Sequence, residues 1–287
     1  MPEGDTLYRT ARTLGRAFSG TAITGFRTRL APLASWNDQQ PVAGQSIERI
    51  ESRGKWLLMF FSGGSVLLTH LRMNGSWHVY RRGERWRAPG HAMRIVLENA
   101  TWQAVGFSVP VAEVLSLSQI EHDRRIPRPG IDVLRPEFDA SAAVVRIRAR
   151  STEAIADVLL DQSVLAGVGN EFKSEICFVC AVNPFAPIAA LDDARITEIV
   201  GTAIRMVRQN ILEDTPEATV TYRGLGRRTR HATDPRERVW VYGRSGEACH
   251  QCGTIIERRL QGRHARVTFL CPLCQPMPQD QATQVRR

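Results

Sequence analysis

The chain has 287 residues, 38 Lys and Arg against 29 Asp and Glu, a net charge of +9 and a pI near 9.9. That length suits two cored domains plus a small module, and the basic excess suits a polyanion, nucleic acid first. The acidic, polar start argues against a secretory signal, and no apolar run reaches the roughly 20 residues of a membrane helix, so a cytosolic or nucleoid location and no membrane are expected.

Asp5 or Thr6 can cap a first helix in which Leu7, Ala11, Leu14 and Phe18 recur at helical spacing, with Arg9, Arg12 and Arg16 elsewhere on the wheel. From about Ile23 to Leu115 the pattern is that of strands. Trp56 to Phe61 and Val66 to Thr69 are apolar runs joined by Ser62-Gly63-Gly64, a hairpin signal, and Arg94 to Leu97 is a further strand. A β-sandwich or barrel-like first domain follows. Ile126 to Pro136 carries three prolines and a glycine and reads as a linker. Helices are expected over roughly 141–150, 152–161, 171–182 and 192–212, the last with Ile196, Val200, Ile204 and Val207 as its buried stripe. A basic loop, Tyr222 to Arg238, precedes a cysteine-rich module, and the tail after Gln275 is expected to fray.

The module holds Cys249-His250-Gln251-Cys252 and, after eighteen residues, Cys271-Pro272-Leu273-Cys274. Two C-x2-C pairs at that separation suit one tetrahedral zinc ion, each pair clipping on as a turn, with Val267 to Leu270 as a returning strand. Two disulfides are the competing reading, and they need an oxidising compartment. Cys177 and Cys180 lie in an apolar helical run and read as buried, inert thiols.

Other motifs are weaker alone. Gly167-Val168-Gly169-Asn170 lets backbone N–H groups and Asn170 approach a phosphate, and reads equally as a helix–helix turn. Removal of Met1 would expose Pro2, whose secondary amine is a nucleophile suited to attack on a sugar C1′, with Glu3 beside it to shuttle protons. Lys55 at a strand start and His70 and Met73 at the end of another are ordinary loop residues by themselves.

In order, the chain carries Met-Pro-Glu-Gly, Arg-Gly-Lys, His-Leu-Arg-Met-Asn-Gly, Gly-Val-Gly-Asn-Glu, Val-Tyr-Gly-Arg-Ser-Gly-Glu and the four-cysteine module. Over almost its whole length it resembles the formamidopyrimidine-DNA glycosylase/endonuclease VIII family of base-excision repair enzymes. The resemblance implies a multi-domain α+β fold: an N-terminal β-sandwich flanked by helices, a helical domain with a helix–two-turn–helix motif, and a four-cysteine zinc finger. On this chain the expected organisation is a catalytic domain over 1–125, a linker over 126–140, the helical domain over 141–238, the finger over 239–276 and a tail over 277–287. It also implies Pro2 as Schiff-base nucleophile, Glu3 as acid, Lys55 as lyase assistant, His70, Asn170 and Arg266 as phosphate grips, Arg266 in δ-elimination, Met73 as a wedge, and Arg72 and Arg128 as further DNA contacts. Cys249, Cys252, Cys271 and Cys274 would hold one structural zinc, and the partner would be double-stranded DNA with damaged bases or abasic sites, bound by a monomer.

Thr6 stands where the family usually has glutamate, and no Arg-Arg-Phe-Gly wedge lies near Val105-Gly106-Phe107. The segment Arg227 to Glu237 does not resemble the lesion-capping loop of the guanine-directed branch. Gly4 and Trp77 lean towards endonuclease VIII, and the Met-Pro-Glu-Gly-Asp-Thr start resembles its second, actinobacterial group. Oxidised pyrimidines and abasic sites are therefore the expected substrates, with oxidised purines next. A non-catalytic damaged-DNA-binding relative is the alternative that Thr6 keeps open; an RNA-binding zinc protein would leave Pro2, Glu3 and Lys55 unexplained.

Overall fold

The computed structural model describes residues 3–128, 130–212, 229–230 and 237–278, which group into two compact units divided between Pro127 and Arg128. Pro2, most of the basic loop and the end of the tail lie outside the described residues.

The first unit opens with helix α1, Gly4–Phe18. Its N-cap is Glu3 rather than Asp5 or Thr6. Asp5 is instead turned inward, where the Thr6 hydroxyl and Arg9 donate to its carboxylate. Eight strands follow in two antiparallel sheets. One has the order β1 (Gly25–Thr28), β6 (Met93–Glu98), β7 (Trp102–Phe107), β5 (Ser76–Arg81). The other has the order β2 (Ile47–Arg53), β3 (Trp56–Phe61), β4 (Ser65–His70), β8 (Val111–Ser116). This is the expected sandwich. Its main core joins the inner face of α1 (Leu7, Leu14, Phe18) to Leu57, Met59 and Phe61 of one sheet and Ile95, Leu97 and Ala104 of the other.

The unbroken apolar run of β3 has a direct cause. Successive side chains point to opposite faces of a sheet, and both faces of this strand are covered. Leu57, Met59 and Phe61 enter the main core, while Leu58 and Phe60 pack with Ile120 of helix α3 (Leu117–His122). Helix α3 starts with a capping box, Ser116 and Gln119 satisfying each other's backbone N–H groups. Helix α2 (Ala31–Gln39), with Pro32 in its first turn, lies inside the stretch that the sequence pattern assigns to strands; its single buried residue, Leu33, leaves almost no periodic signal.

The second unit contains α4 (Ala140–Arg148), α5 (Ile155–Leu160), α6 (Asn170–Val179) and α7 (Asp193–Leu212), then a hairpin of β9 (Glu257–Gln261) and β10 (Arg266–Leu270). Helices α5 and α6 flank the turns of the helix–two-turn–helix motif. Helix α5 is shorter than expected because residues 150–154 form turns closed by Glu153 N–H to the Arg150 carbonyl. The Pro/Gly-rich segment differs from a spacer. Val133 and Leu134 are buried, and the backbone around Asp132 runs parallel to Ala166, with Ala166 N–H to Ile131 and Val133 N–H to Ala166. Prolines favour extended backbone, and here that extension pairs with a neighbour instead of floating.

Candidate nucleic-acid interface and four-cysteine centre

In the first unit, β2 and β3 are joined by the two-residue turn Gly54-Lys55, Arg53 pairing with Trp56. Gly54 has φ +58, the left-handed value required at the first position of such a hairpin. The turn delivers Lys55 to the end of the sheet where His70 finishes β4, because Trp56 is the cross-strand partner of His70 and their rings meet edge-on at 4.8 Å. The His70 Nδ1 accepts the Arg72 backbone N–H at 3.0 Å. An Nδ1 that accepts leaves the proton on Nε2, so the neutral ring keeps an N–H donor there. Burial, then the charges of Lys55 and Arg72, hold its pKa below the ordinary 6.5.

The segment after His70 is a tight turn anchored at both ends. Leu71 and Gly75 are buried, and Gly75 N–H donates to the Leu71 carbonyl at 2.8 Å. A Cβ on Gly75 would lie 2.6 Å from that oxygen, so only glycine fits. Arg72 has φ +46, and Met73 at the tip is 59% exposed. Lys55, His70, Arg72 and Met73 are thus brought together from separate stretches of sequence. Glu3 is buried at the start of α1, and its carbonyl accepts the Leu7 N–H.

In the second unit, Gln162 shapes the loop before α6. Its amide donates to the Leu160 and Val168 carbonyls and accepts the Gly167 N–H. Gly167 has φ +97, and a Cβ there would press on Val133 and Asp132. Asn170 follows as the first residue of α6, and its Nδ2 donates to the Val267 carbonyl at 2.9 Å. Arg266, the preceding residue, is exposed at the start of β10. Asn170 and Arg266, 96 positions apart in the sequence, therefore meet at one strand edge. Arg128 is exposed at the beginning of this unit, away from any shared partner with them among the described residues.

No motif in the sequence points to two buried ionisable residues of α6, Lys173, which fastens this hairpin, and Glu175, which fastens the segment that precedes it. Lys173 is 1% exposed and Glu175 is fully buried. The Glu175 carboxylate accepts the backbone N–H groups of Trp240, Val241 and Tyr242 at 2.7–2.8 Å, and the Thr229 hydroxyl. Burial raises its pKa in spite of these donors. The available signal was the anomaly itself, a lysine and a glutamate inside the apolar run from Phe172 to Phe178. Gln275, at the edge of the expected tail, is also buried, taking the Cys271 N–H and donating to Val182.

The four cysteines of the module converge, their Sγ atoms all within 4.8 Å of one another. Cys249 and Cys274 are 3.9 Å apart, and Cys252 and Cys271 3.4 Å. Disulfide sulfurs stand about 2.05 Å apart, so these pairs are not bridged. Four thiolates about 2.3 Å from one ion would be separated by roughly 3.8 Å, and the observed cluster fits that demand. The Gln251 and Cys274 N–H groups point at Cys249 and Cys271 Sγ, as in turns that wrap a metal. Hydrogen bonds from Thr254 draw the Cys252 thiol down to about 6. Cys177 and Cys180 are buried elsewhere, and burial pushes Cys177 up to about 12, which keeps it a protonated, unreactive thiol.

The chain is similar to known proteins over almost its whole length. A family model for the formamidopyrimidine-DNA glycosylase N-terminal domain matches residues 1–108, and one for the formamidopyrimidine-DNA glycosylase H2TH domain matches residues 130–221. The Streptomyces coelicolor protein named "Probable endonuclease 8 2" is 35% identical over 282 residues, covering 97% of this chain and 95% of that protein. The DNA-(apurinic or apyrimidinic site) lyase Nei2 of Mycolicibacterium smegmatis is 34% identical over 275 residues, covering 96% and 99%. The Lactococcus lactis formamidopyrimidine DNA glycosylase, solved with DNA containing an AP site, superposes with a TM-score of 0.76 at 22% identity, covering 96% of this chain and 100% of that one; the likeness there is one of fold. The chain belongs to the formamidopyrimidine-DNA glycosylase/endonuclease VIII family. Within it, the similarity runs to the actinobacterial endonuclease 8 2 proteins.

Proposed function

We propose that this protein is a base-excision DNA glycosylase and AP lyase, acting on oxidised bases (pyrimidines ahead of purines) and on abasic sites in double-stranded DNA. The observation that carries this reading is near-full-length similarity to a protein named as an AP lyase, together with the Met-Pro-Glu-Gly start. The protein would work as a monomer on chromosomal DNA in the cytosol.

The chemistry begins when Met1 is removed and Pro2 becomes a terminal secondary amine. The damaged base is turned out of the stack. The Pro2 nitrogen bonds to C1′ as the C1′–N bond to the base breaks, and the base leaves with the proton that the nitrogen gives up; the C1′–O4′ bond then breaks, O4′ takes a proton from Glu3, and the nitrogen lone pair closes the iminium. This iminium acidifies the C2′ hydrogen. Its removal expels the 3′ phosphate by β-elimination, and a second proton loss expels the 5′ phosphate by δ-elimination. Lys55 assists the first elimination and Arg266 the second. Its place beside Pro2, at the start of α1, supports the part given to Glu3.

His70, Asn170 and Arg266 grip phosphates, with Arg72 and Arg128 as further backbone contacts. The His70 Nε2–H donor suits this without a charged ring. Met73, exposed at the tip of its turn, fills the gap left by the displaced nucleotide. Cys249, Cys252, Cys271 and Cys274 hold one zinc ion, whose contribution is to fold the finger; four thiolates leave no position for a reacting water. Thr6 supports a second reading, a relative that binds damage without excising it.

Borohydride trapping on abasic-site DNA is the test. The full-length protein with Met1 removed is expected to form a covalent adduct, and Pro2→Gly or a retained Met1 to weaken it strongly. No adduct from the processed protein would leave only the binding reading. Cleavage assays on thymine glycol, dihydrouracil and oxidised guanine then rank the substrates.

A further inference from the structure

Lysine is almost never fully buried unless paired, because its ammonium group is strongly hydrated. Lys173 is 1% exposed on α6, one turn after Asn170. Its ammonium finds an acceptor for each of its three N–H donors: Asn170 Oδ1 at 3.0 Å, the Val267 carbonyl at 3.2 Å and Thr268 Oγ1 at 2.7 Å. The Asp157 carboxylate supplies the opposite charge nearby. Gly262, in the hairpin turn, packs so closely on Asp157 that an added Cβ would collide with its Oδ1.

The consequence for Asn170 is specific. An ammonium group only donates, so the Asn170 carboxamide must turn its oxygen towards Lys173 and its nitrogen away. The nitrogen then meets the Val267 carbonyl at 2.9 Å, leaving the second amide N–H for an anionic oxygen. The same lysine holds the outer edge of β10, the strand that Arg266 begins. Ser174, next on α6, takes the Phe269 N–H of that edge. Helix α6 thus stands in for a third strand, and one buried cation connects both phosphate-binding candidates of this unit.

We propose that Lys173 is a positioning residue for phosphate recognition: it fixes the orientation of the Asn170 amide and the strand edge that aims Arg266. The proposal rests on the DNA-repair reading above.

The test uses the full-length, zinc-loaded protein and a duplex carrying a tetrahydrofuran abasic analogue. Lys173→Met, Asn170→Ala and the double variant are compared by binding titration. Each single change is expected to weaken binding on the order of tenfold, the loss of about one hydrogen bond with a charged partner. The double variant is expected to be no weaker than the weaker single, because Lys173 acts through Asn170. The salt dependence of Lys173→Met is expected to flatten towards that of Arg266→Ala, by up to about one unit. Losses that multiply in the double variant, or a salt slope equal to the wild type's, would overturn the proposal. Absence of wild-type binding would instead sink the DNA reading. A second measurement needs neither DNA nor a folded Lys173 variant. The Lys173 ammonium should give a slowly exchanging 1H–15N signal that moves in Asn170→Ala; a signal insensitive to that change refutes the coupling on its own.

Discussion

Gly75→Ala adds one methyl group to the turn that carries Arg72 and Met73. The Cβ would stand 2.6 Å from the Leu71 carbonyl oxygen and 2.9 Å from the Leu71 Cα. Both are backbone atoms of a buried residue, so no side chain can swing aside. The turn must open, and the 2.8 Å bond from Gly75 N–H to Leu71 goes with it. Overpacking costs about 1–3 kcal/mol and a lost hydrogen bond about 1 kcal/mol, so a loss of roughly 2–4 kcal/mol is expected. For a unit of this size that corresponds to about 10 °C in the unfolding temperature. Calorimetry at one scan rate measures it, and DNA titration of the folded variant should show weakened binding as Arg72 and Met73 move. A transition within about 2 °C of wild type would refute the reasoning. The same substitution at Gly201 is the matched control. Gly201 lies within α7, is exposed, and an added Cβ meets nothing within 4 Å. There Ala should stabilise by about 1 kcal/mol, since it restricts the unfolded chain and favours the helix.

Further outcomes follow from the sites. His70 should titrate below 6.5, and Lys55→Gln should raise its pKa by removing a neighbouring charge; an NMR titration that finds no change would separate the two residues. Because the folded pKa is the lower one, the unfolded chain binds protons first as pH falls, so this group's effect is a loss of stability that begins below about pH 6.5 and is absent above it. Chelating the metal should unfold the finger and abolish tight DNA binding, read by titration, since β10 and Arg266 lose their support; Arg266→Ala in the zinc-loaded protein should flatten the salt dependence by about one unit. Binding that survives chelation would make the module dispensable.

Much of the architecture was visible as local pattern. Leu7, Ala11, Leu14 and Phe18 predicted the buried face of α1, and all four are in the core. The β3 and β4 runs and the Ser62-Gly63-Gly64 turn fell where the hairpin is. The cysteine spacing predicted a convergent cluster, and it is present. Helix α2 leaves no periodic signal in the sequence, because only one of its residues is buried. The prolines and glycine around Asp132 signal a break in the sequence, whereas the pairing of this segment with Ala166 depends on a residue 34 positions later.

Metal-ligand chemistry and hydrophobic periodicity are short-range properties, so composition and spacing carry them. That is why the cysteine quartet, the strand runs and the glycine-bearing turns could be read directly. The burial of Lys173 and Glu175 is of another kind. By composition both belong on the surface, and distant partners such as Thr268 for Lys173 and Trp240 for Glu175 make their burial tolerable. A buried charge is stable only when its acceptors or donors are already in place. The tertiary structure alone therefore decided that Asn170 and Arg266 share one strand edge, and that a lysine holds them there.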